Sequence, residues 1–481
     1  MAFAVAPIKF GTDGWRGRIA AEFTFERLVA IVPLAAQVLS EQYGAIARQP
    51  QLIFVGYDRR FLAEEFARIA AETLAEFGFA VRLADSYAPT PALSWAAKSE
   101  GALGALVITA SHNPANYLGL KVKSAFGGSV PPAVTQEIEA RLGKPLVAST
   151  AVGSVEPFDP WASYCAELRT KVDVEAVRAA IAARKLGVYV DAMHGAAAGG
   201  LQRLLGEGVE ELNGTRDPLF GGHPPEPLPP YIPALFQRVR TAAKAQEAEL
   251  RVGLVFDGDC DRIAAVDGEG NFRSSQVLIP VLIDHLATRR SMTGEVVKTV
   301  SGSDLIPRLV KLYGLPLHET PIGFKYIADR MLATPVLVGG EESGGIGYGT
   351  HTPERDALLS ALYVLEAVLQ SGQDVGAIYA RLQEKVAFAT AYDRVDLPLA
   401  GHDAKERVRQ ILKTQPPAEI AGQSVVNCLT TDGFKFRLAD DSWLLVRFSG
   451  TEPLLRLYCE ASNDLQVRKT LDWAKSWASE L

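Results

Sequence analysis

Short apolar runs that alternate with helix-length amphipathic stretches constrain the fold of this chain more than any other feature. The stretches 63–77 and 358–369, for example, carry apolar residues at the spacing of a buried helix face. Buried strands that alternate with helices predict α/β layers with mixed, largely parallel sheets. The runs that we interpret as strands are residues 52–58, 104–110, 186–192, 252–258, 295–301, 335–340 and 443–449.

Three of these runs, FVGYD, VYVDA and LVFDG, end alike on an aspartate. We interpret this likeness as a weak internal repeat of three related α/β units. A chain of 481 residues has the length of about three domains. The region after residue 385 lacks a strand of this type, which predicts a smaller α+β domain with a different fold. The predicted domains are 1–152, 153–268, 269–384 and 385–481.

A proline-rich segment, residues 218–233, contains seven prolines. Proline fits neither a helix interior nor a central strand. The segment therefore predicts an extended loop inside the second domain.

Charge and cysteine content exclude several classes of protein. A net charge of −7 does not favour nucleic-acid binding through the overall field, although a local basic pocket for a small anion is compatible with it. Residues 101–120 carry no charge but include polar groups, so they do not predict a membrane span.

The four cysteines form no CxxC pair, which indicates neither a zinc site nor a disulfide framework and fits a reducing cytoplasm. The N-terminus does not resemble a signal peptide, so we expect a cytoplasmic protein.

The segment DGDCDR places Asp257, Asp259 and Asp261 at alternate positions. In an extended segment this period puts all three carboxylates on one side. Three like charges need a cation, and oxygen ligands favour Mg²⁺ or Ca²⁺. An EF-hand does not fit, because its glycine and glutamate positions hold Arg262 and Gly268. The remaining alternative is a solvated acidic turn, but the adjacent apolar strand and Arg262 favour Mg²⁺ near a phosphate.

The segment TASHNP places Ser111 at the end of a strand, followed by His112. Three interpretations are open from this segment alone. A serine hydrolase would pair the two residues, although the chain has no GxSxG motif. A phosphoryl carrier would use Mg²⁺, Lys121 and Lys123 to neutralise the phosphate. A plain Ser-Asn-Pro turn would need no function at all.

Two further segments have the composition of ligand loops. In RFSGTEP (447–453), backbone N–H groups and hydroxyls can surround a phosphate that Arg447 binds in bidentate fashion, and Arg456 lies further along. In GGEESGGIGYG (339–349), Glu341 can accept hydrogen bonds from two sugar hydroxyls with the help of Ser343. The ordinary alternatives are a generic turn and a flexible surface loop. Neither GxGxxG nor a P-loop occurs in the chain, which weakens nucleotide binding.

GTDGWRG, TASHNP, DGDCDR, GEESGG and RFSGTEP, in this order, resemble the motifs of the α-D-phosphohexomutases. This family comprises the phosphoglucomutases and phosphomannomutases, and the likeness runs from about residue 8 to about residue 461. The resemblance implies three similar α/β/α domains plus a smaller C-terminal domain around one central cleft. It also implies a hexose phosphate substrate and a monomer or homodimer, without nucleic-acid or membrane partners.

The resemblance also implies roles for the residues at the reacting end. Ser111 would be a phosphoserine that gives and retakes the phosphoryl group. The three aspartates of DGDCDR would bind Mg²⁺ together with an oxygen of that phosphoserine. Lys121 and His112 would lie beside it, with Lys121 a candidate general base. Charge near the transferred group would be stabilised by Arg16 and Arg262, which GTDGWRG and DGDCDR supply.

The remaining implied roles concern substrate binding. Lys325, in PIGFKYI, resembles a second proton-transfer position, although such a lysine is more commonly a solvated helix residue. Glu341 and Ser343 would bind the sugar O3 and O4 hydroxyls. The phosphate that does not react would be held by Arg447, Ser449, Gly450 and Thr451, with Arg456 nearby.

The expected activity is the interconversion of glucose 1-phosphate and glucose 6-phosphate, with Mg²⁺ and a glucose 1,6-bisphosphate intermediate that also activates the enzyme. Two departures from the family pattern stand out. Cys260 replaces a common Gly or Ala, and Gly345 stands where dual-specificity enzymes commonly have His, which favours glucose. The alternatives are phosphomannomutase, phosphoglucosamine mutase or dual specificity, hexose 1,6-bisphosphate synthesis, a Mg²⁺-dependent sugar phosphatase, and a sugar-phosphate regulator with a relict site.

Overall fold

Four β-sheets follow one another along the chain in a computed structural model that describes residues 7–11, 13–144, 152–449 and 453–480. The predicted runs all form strands, and the amphipathic stretches form helices between them. No helix within these ranges is both long and apolar enough to cross a membrane.

The first sheet has the strand order β1-β2-β6-β5-β3-β4-β7. Strands β3, β4, β5 and β7 run parallel, whereas β1, β2 and β6 are antiparallel additions. The last strand lies beyond residue 152 and still pairs with β4. The strands are β1 (Phe10–Gly11), β2 (Gly14–Arg18), β3 (Gln49–Tyr57), β4 (Ala80–Ala84), β5 (Ala102–Ile108), β6 (Tyr117–Ser124) and β7 (Ser154–Phe158); the helices are α1 (Phe25–Tyr43), α2 (Ala63–Glu76), α3 (Thr90–Glu100) and α4 (Pro132–Arg141).

The second sheet has the order β12-β11-β10-β8-β9, with β9, β8 and β10 parallel. The proline-rich segment contains two short 3₁₀ turns (Phe220–Gly222 and Pro229–Tyr231), and its last proline begins a helix, a position that needs no amide donor. The strands are β8 (Leu186–Asp191), β9 (Glu210–Leu212), β10 (Leu250–Phe256), β11 (Ile263–Val266) and β12 (Phe272–Arg273); the helices are α5 (Ala162–Lys171), α6 (Val174–Ala182), α7 (Gly200–Leu205) and α8 (Pro233–Ala245).

The third sheet has the order β14-β13-β15-β16. Its strands are β13 (Glu295–Thr299), β14 (Leu317–Thr320), β15 (Val336–Gly340) and β16 (Ile346–Gly347); its helices are α9 (Ser275–Asp284), which continues as a π-helical turn (His285–Arg289), α10 (Leu305–Leu312), α11 (Phe324–Ala333), α12 (Ala357–Ser371) and α13 (Val375–Lys385). Helix α12 is buried on nearly every side, because it packs against the second domain as well as its own sheet.

The fourth sheet is antiparallel throughout, with the order β17-β22-β21-β20-β19-β18. This confirms the prediction of a different C-terminal fold. Its strands are β17 (Ala391–Pro398), β18 (Glu419–Ile420), β19 (Gln423–Leu429), β20 (Phe434–Leu438), β21 (Trp443–Phe448) and β22 (Leu454–Ala461); its helices are α14 (His402–Thr414) and α15 (Asp464–Ser479).

The hydrophobic clusters show which domains pack against one another. One continuous cluster joins Phe54 of the first domain, Phe256 of the second and Leu362 of the third. The fourth domain has a core of its own and meets the third through a small cluster around Trp443. The carboxyl ends of β5, β10 and β15 therefore meet in a fixed arrangement, and ligand sites form at such strand ends.

Candidate active site

Ser111 lies three residues after the end of β5, at the start of a segment that we call the serine loop (residues 111–117), whose last residue begins β6. Its Oγ is 2.8 Å from Oδ2 of Asp257 and its side chain is buried. Its φ of +52° is unusual for a residue with a side chain. The backbone N–H of Ser111 donates to Oγ1 of Thr109, which helps to hold this conformation.

Asp257, Asp259 and Asp261 converge at the end of β10, in a segment that we call the aspartate loop (residues 257–262). Their carboxylate oxygens lie within 4.8 Å of one another, and all three residues are fully buried. The expectation of an extended segment was wrong. The loop is a tight turn in which Cys260 has φ +59° and packs into the hydrophobic core. The turn, rather than a two-residue period, brings the carboxylates together.

The donor set of the aspartate loop fits a divalent cation that prefers oxygen. Burial and the neighbouring Asp261 and Asp259 raise the pKa of Asp257 well above its ordinary value, which reflects the repulsion of three clustered acids. Oδ1 of Asp259 and Oδ1 of Asp261 find no hydrogen-bond partner among the described residues. Buried carboxylate oxygens without partners are costly unless a cation binds them. Mg²⁺ matches this set of ligands.

Lys121, on β6, faces the same acids. Its Nζ lies 2.7 Å from Oδ2 of both Asp259 and Asp261 and 2.8 Å from Oδ2 of Asp13. Burial lowers the pKa of Lys121, but the three carboxylates outweigh burial and raise it. In this arrangement Lys121 is a cation that neutralises the acids. Its role as a general base stays a prediction.

Arg16, His112 and Arg262 lie close to the serine and aspartate loops. Nη1 of Arg16 donates to Oδ1 of Asn113 at 2.6 Å, and Nδ1 of His112 lies 3.4 Å from Oγ of Ser111. Burial and the nearby arginines 262 and 16 hold the pKa of His112 well below its ordinary value, which favours the neutral imidazole. The backbone N–H of Arg262 donates to Oδ1 of Asp257.

The glycine loop (residues 339–349) is joined to the aspartate loop through the backbone. The N–H of Ile263 donates to the carbonyl oxygen of Gly344 at 3.0 Å, and Arg262 forms a β-bridge with Gly345. Glu341 is buried, and burial raises its pKa, whereas Ser343 is half-buried. The second and third domains thus meet at the centre of the site.

Arg355 and Glu354 belong to this site but were missed by the sequence analysis. The guanidinium of Arg355 contacts Asp13 and lies 2.8 Å from Oδ2 of Asp261. Glu354 lies 2.6 Å from Nζ of Lys123. The two charged residues lie directly before the buried helix α12. That position was the only feature of the sequence that could have indicated a functional role for them.

The side chain of Arg355 also fills the space beside Gly345. A Cβ atom on Gly345 would lie 2.4 Å from Cδ of Arg355. The space that a side chain at position 345 would need is therefore occupied in this protein by an arginine from the same domain.

The remaining predicted residues lie further from Ser111. Arg447 is half-buried, and its Nε donates to Oδ2 of Asp432 at 3.0 Å. Nε of Arg456 lies 3.9 Å from Asp396, and Ser449 is buried. Lys325 lines a cavity of about 380 Å³ together with Asp13. Gly450 and Thr451 lie outside the described residues.

The fourth domain reaches the glycine loop through a residue that the sequence analysis did not single out. Nη1 of Arg394, on β17, lies 3.6 Å from Oε1 of Glu342. Arg394 pairs across the sheet with Tyr458, and the electrostatic surroundings of that tyrosine include Glu342, Arg456 and Arg447. Arg447 and Arg456 are therefore neighbours of the glycine loop.

Comparison with known proteins accounts for this arrangement. Models of the phosphoglucomutase/phosphomannomutase α/β/α domains I, II and III match residues 7–146, 162–270 and 274–386, and the model of the C-terminal domain matches residues 399–472. The chain belongs to the phosphoglucomutase/phosphomannomutase family. Its members are mutases, that is, isomerases that transfer a phosphoryl group within a hexose phosphate.

Relatives of this phosphohexomutase carry names for different sugars. It is 29% identical over 469 residues, 96% of each chain, to a phosphoglucomutase/phosphomannomutase of Thermococcus kodakarensis. It is 29% identical over 475 residues, 95% of each chain, to a phosphoglucosamine/phosphogalactosamine mutase of Sulfurisphaera tokodaii. A crystal structure named as a candidate phosphomannomutase from Thermus thermophilus matches with a TM-score of 0.84 and 33% identity over 99% of this chain and 100% of that one.

Proposed function

We propose that this phosphohexomutase interconverts glucose 1-phosphate and glucose 6-phosphate through a phosphoserine at Ser111 and a glucose 1,6-bisphosphate intermediate. The observation that carries the proposal is the contact of 2.8 Å between Oγ of Ser111 and the buried acid cluster. A hydroxyl that donates to one of three clustered carboxylates, with Lys121 and Arg262 beside the same acids, suits a residue that carries a phosphoryl group.

Catalysis in this scheme rests on position and charge. As the bond from phosphorus to a sugar hydroxyl oxygen forms, the bond to Oγ of Ser111 breaks; the sugar hydroxyl loses its proton and Oγ takes one up to become the serine hydroxyl. Lys325 is the predicted acceptor of this proton. Lys121, the other predicted base, is protonated in this arrangement and would act as a base only after giving its proton to the leaving Oγ. Arg16, Arg262 and Lys121 would stabilise the negative charge that spreads over the transferred group. Bound to the three aspartates, Mg²⁺ would supply further charge neutralisation.

The second half of the reaction requires the bisphosphate to turn around in the cleft. Glu341 and Ser343 would hold the O3 and O4 hydroxyls, which the turn approximately exchanges. Arg447 and its segment would hold whichever phosphate does not react. Water has to be kept away from the phosphoserine, and the deep burial of Ser111 serves this purpose.

A second candidate substrate is glucosamine phosphate, because a relative at 29% identity is named a phosphoglucosamine/phosphogalactosamine mutase. Glucose is preferred here because Gly345, with Arg355 beside it, replaces the histidine that is common in dual-specificity enzymes.

The test is an incubation with the 1-phosphates of glucose, mannose and glucosamine, each with and without its 1,6-bisphosphate. The 6-phosphate and free phosphate are assayed together with intact-mass mapping of Ser111. A mutase yields 6-phosphate after bisphosphate priming, with about 80 Da on Ser111. A phosphatase would release free phosphate instead, and accumulation of bisphosphate would indicate a synthase. Full activity of the Ser111→Ala variant would refute the phosphoserine.

A further inference from the structure

Arg60 is an arginine whose side chain is entirely buried beneath the serine loop. It lies three residues after the end of β3, and its relative exposure is 0%. A buried guanidinium is costly unless its donors are satisfied. Within the described part of the chain, the hydrogen bonds of its two terminal nitrogens are directed at one target.

That target is the backbone of the serine loop. Nη2 donates to the carbonyl oxygens of Ser111 at 2.6 Å and Asn113 at 2.7 Å. Nη1 donates to the carbonyl oxygens of Pro114 at 2.9 Å and Tyr117 at 3.2 Å. Four carbonyl oxygens of this one loop thus accept hydrogen bonds from a single guanidinium group.

The side chain of Arg60 is itself fixed from two directions. Its Nε lies 3.2 Å from Oδ2 of Asp58, and that carboxylate also accepts a hydrogen bond from Oγ1 of Thr109. On the other side, its guanidinium lies over the ring of Phe220, in the proline-rich segment of the second domain, at 4.9 Å from the centroid. Arg60 therefore connects the serine loop to the domain that carries the aspartate loop.

The hydrogen bond from Arg60 to the serine loop helps to hold the unusual backbone conformation of Ser111. A residue with a side chain at φ +52° costs free energy and persists only where its surroundings determine it. The Thr109 hydroxyl holds the N–H of Ser111, and Arg60 holds its carbonyl oxygen. Together they direct Oγ of Ser111 towards Asp257.

We propose that Arg60 is a positioning residue, which fixes Ser111 for in-line phosphoryl transfer without touching substrate or metal. The proposal rests on the proposed function of Ser111. A displacement of about 1 Å in such a geometry costs roughly a hundredfold in rate. Arg60→Lys keeps the charge but cannot reach four carbonyls with one ammonium group. We therefore expect the rate to fall, while substrate binding by distant residues is kept.

The experiment measures transfer of phosphate from glucose 1,6-bisphosphate to unphosphorylated Ser111 by rapid quench and intact mass, beside steady-state kcat and KM. For Arg60→Lys and Arg60→Ala we expect the transfer rate and kcat to fall about a hundredfold, with KM within about threefold of the unmodified enzyme. Methylguanidinium should partly restore the rate of Arg60→Ala. The control is Arg59→Ala, because this neighbour contacts Gly214 and the ring of Tyr87 instead. It should keep its rate and gain nothing from methylguanidinium.

The outcomes separate this inference from the proposed function. If the unmodified enzyme never carries phosphate on Ser111, the proposed function fails. If it does and both Arg60 variants accept phosphate at the unmodified rate, only the role of Arg60 fails. Two further results would also overturn the role of Arg60: a fall in kcat with an equal rise in KM, and a failure of both variants to fold. Arg60 would then act on substrate binding or on the whole domain, and not on the serine loop alone.

Discussion

Oγ of Ser111 lies 2.8 Å from Oδ2 of Asp257, although 146 positions separate the two residues in the chain. The contact joins the first domain to the second. It depends on a close approach of backbones, since a Cβ atom on Gly258 would lie 2.4 Å from the carbonyl oxygen of Ser111. The aspartate loop and the serine loop thus form one unit.

The three aspartates are expected to act as one Mg²⁺ site. Asp259→Asn removes a charge that both Lys121 and Thr90 contact. It should lower kcat at least about a hundredfold, because the transferred phosphoryl group loses electrostatic stabilisation. Mg²⁺ should raise the Tm of the unmodified protein, since a ligand of the folded state stabilises it, and should raise that of the variant less.

Asp403→Asn is the matched control for this prediction, because Asp403 is exposed in the first turn of α14. It should keep both its activity and its response to Mg²⁺. Removal of Mg²⁺ by a chelator should abolish turnover reversibly. Normal turnover of Asp259→Asn at low Mg²⁺ would contradict a metal role for the site.

Gly345 and Arg355 are expected to be coupled. Gly345→Ala would force the Arg355 side chain away from Asp13 and Asp261, because the new methyl group would overlap its Cδ. Arg355→Ala alone should lower kcat/KM about ten- to a hundredfold. The double variant should be no worse than Arg355→Ala, since residues in contact are not additive. A double-mutant cycle in kcat/KM measures this, and simple addition of the two effects would show that they are independent.

Arg447 and Glu341 are expected to divide phosphate and sugar binding. Arg447→Lys loses the planar fork that binds two phosphate oxygens and should lower kcat/KM about ten- to a hundredfold, with a lower kcat and a higher KM. Glu341→Gln should change the preference between glucose 1-phosphate and mannose 1-phosphate but leave inhibition by inorganic phosphate intact. Arg468→Lys, on the exposed face of α15, is the control. Unchanged phosphate inhibition in Arg447→Lys would place the phosphate site elsewhere.

Lys435 is expected to make stability depend on pH. Burial and the neighbouring Lys298 lower the pKa of Lys435 to about 7, at the contact between the third and fourth domains. The unfolded chain holds this proton up to about pH 10, so unfolding takes up a proton between these values and stability rises with pH there. Lys435→Met removes the effect.

The measurement is the Tm of Lys435→Met minus that of the unmodified protein, followed from about pH 7 to about pH 10. This difference should fall as the pH rises, whatever its value at the lower end. Lys413→Met, at an exposed lysine on α14, should show a constant difference. Parallel curves for Lys435→Met and the unmodified protein would mean that Lys435 stays charged in the folded state.

Most of the architecture could be predicted from local patterns. Continuous apolar runs such as that of β10 identify buried strands, and the 3.6-residue spacing in α2 identifies a helix packed on a sheet. The pattern also led to one error, since DGDCDR suggests an extended segment but turns at Cys260. A two-residue period cannot distinguish a strand from a turn that closes on a buried cation site.

The sequence by itself determined which chemical groups are present and after which strands they lie. Ser111, the three aspartates and Glu341 follow strand ends, and this order is a property of the chain. Only the tertiary structure decided the partners of Lys121, the placement of Arg355 against Asp13, and the four carbonyls around Arg60. These contacts join residues far apart in the chain. They exist because the first three domains share one continuous hydrophobic core. The spacing of apolar residues within a single helix or strand does not specify how the domains pack on that core.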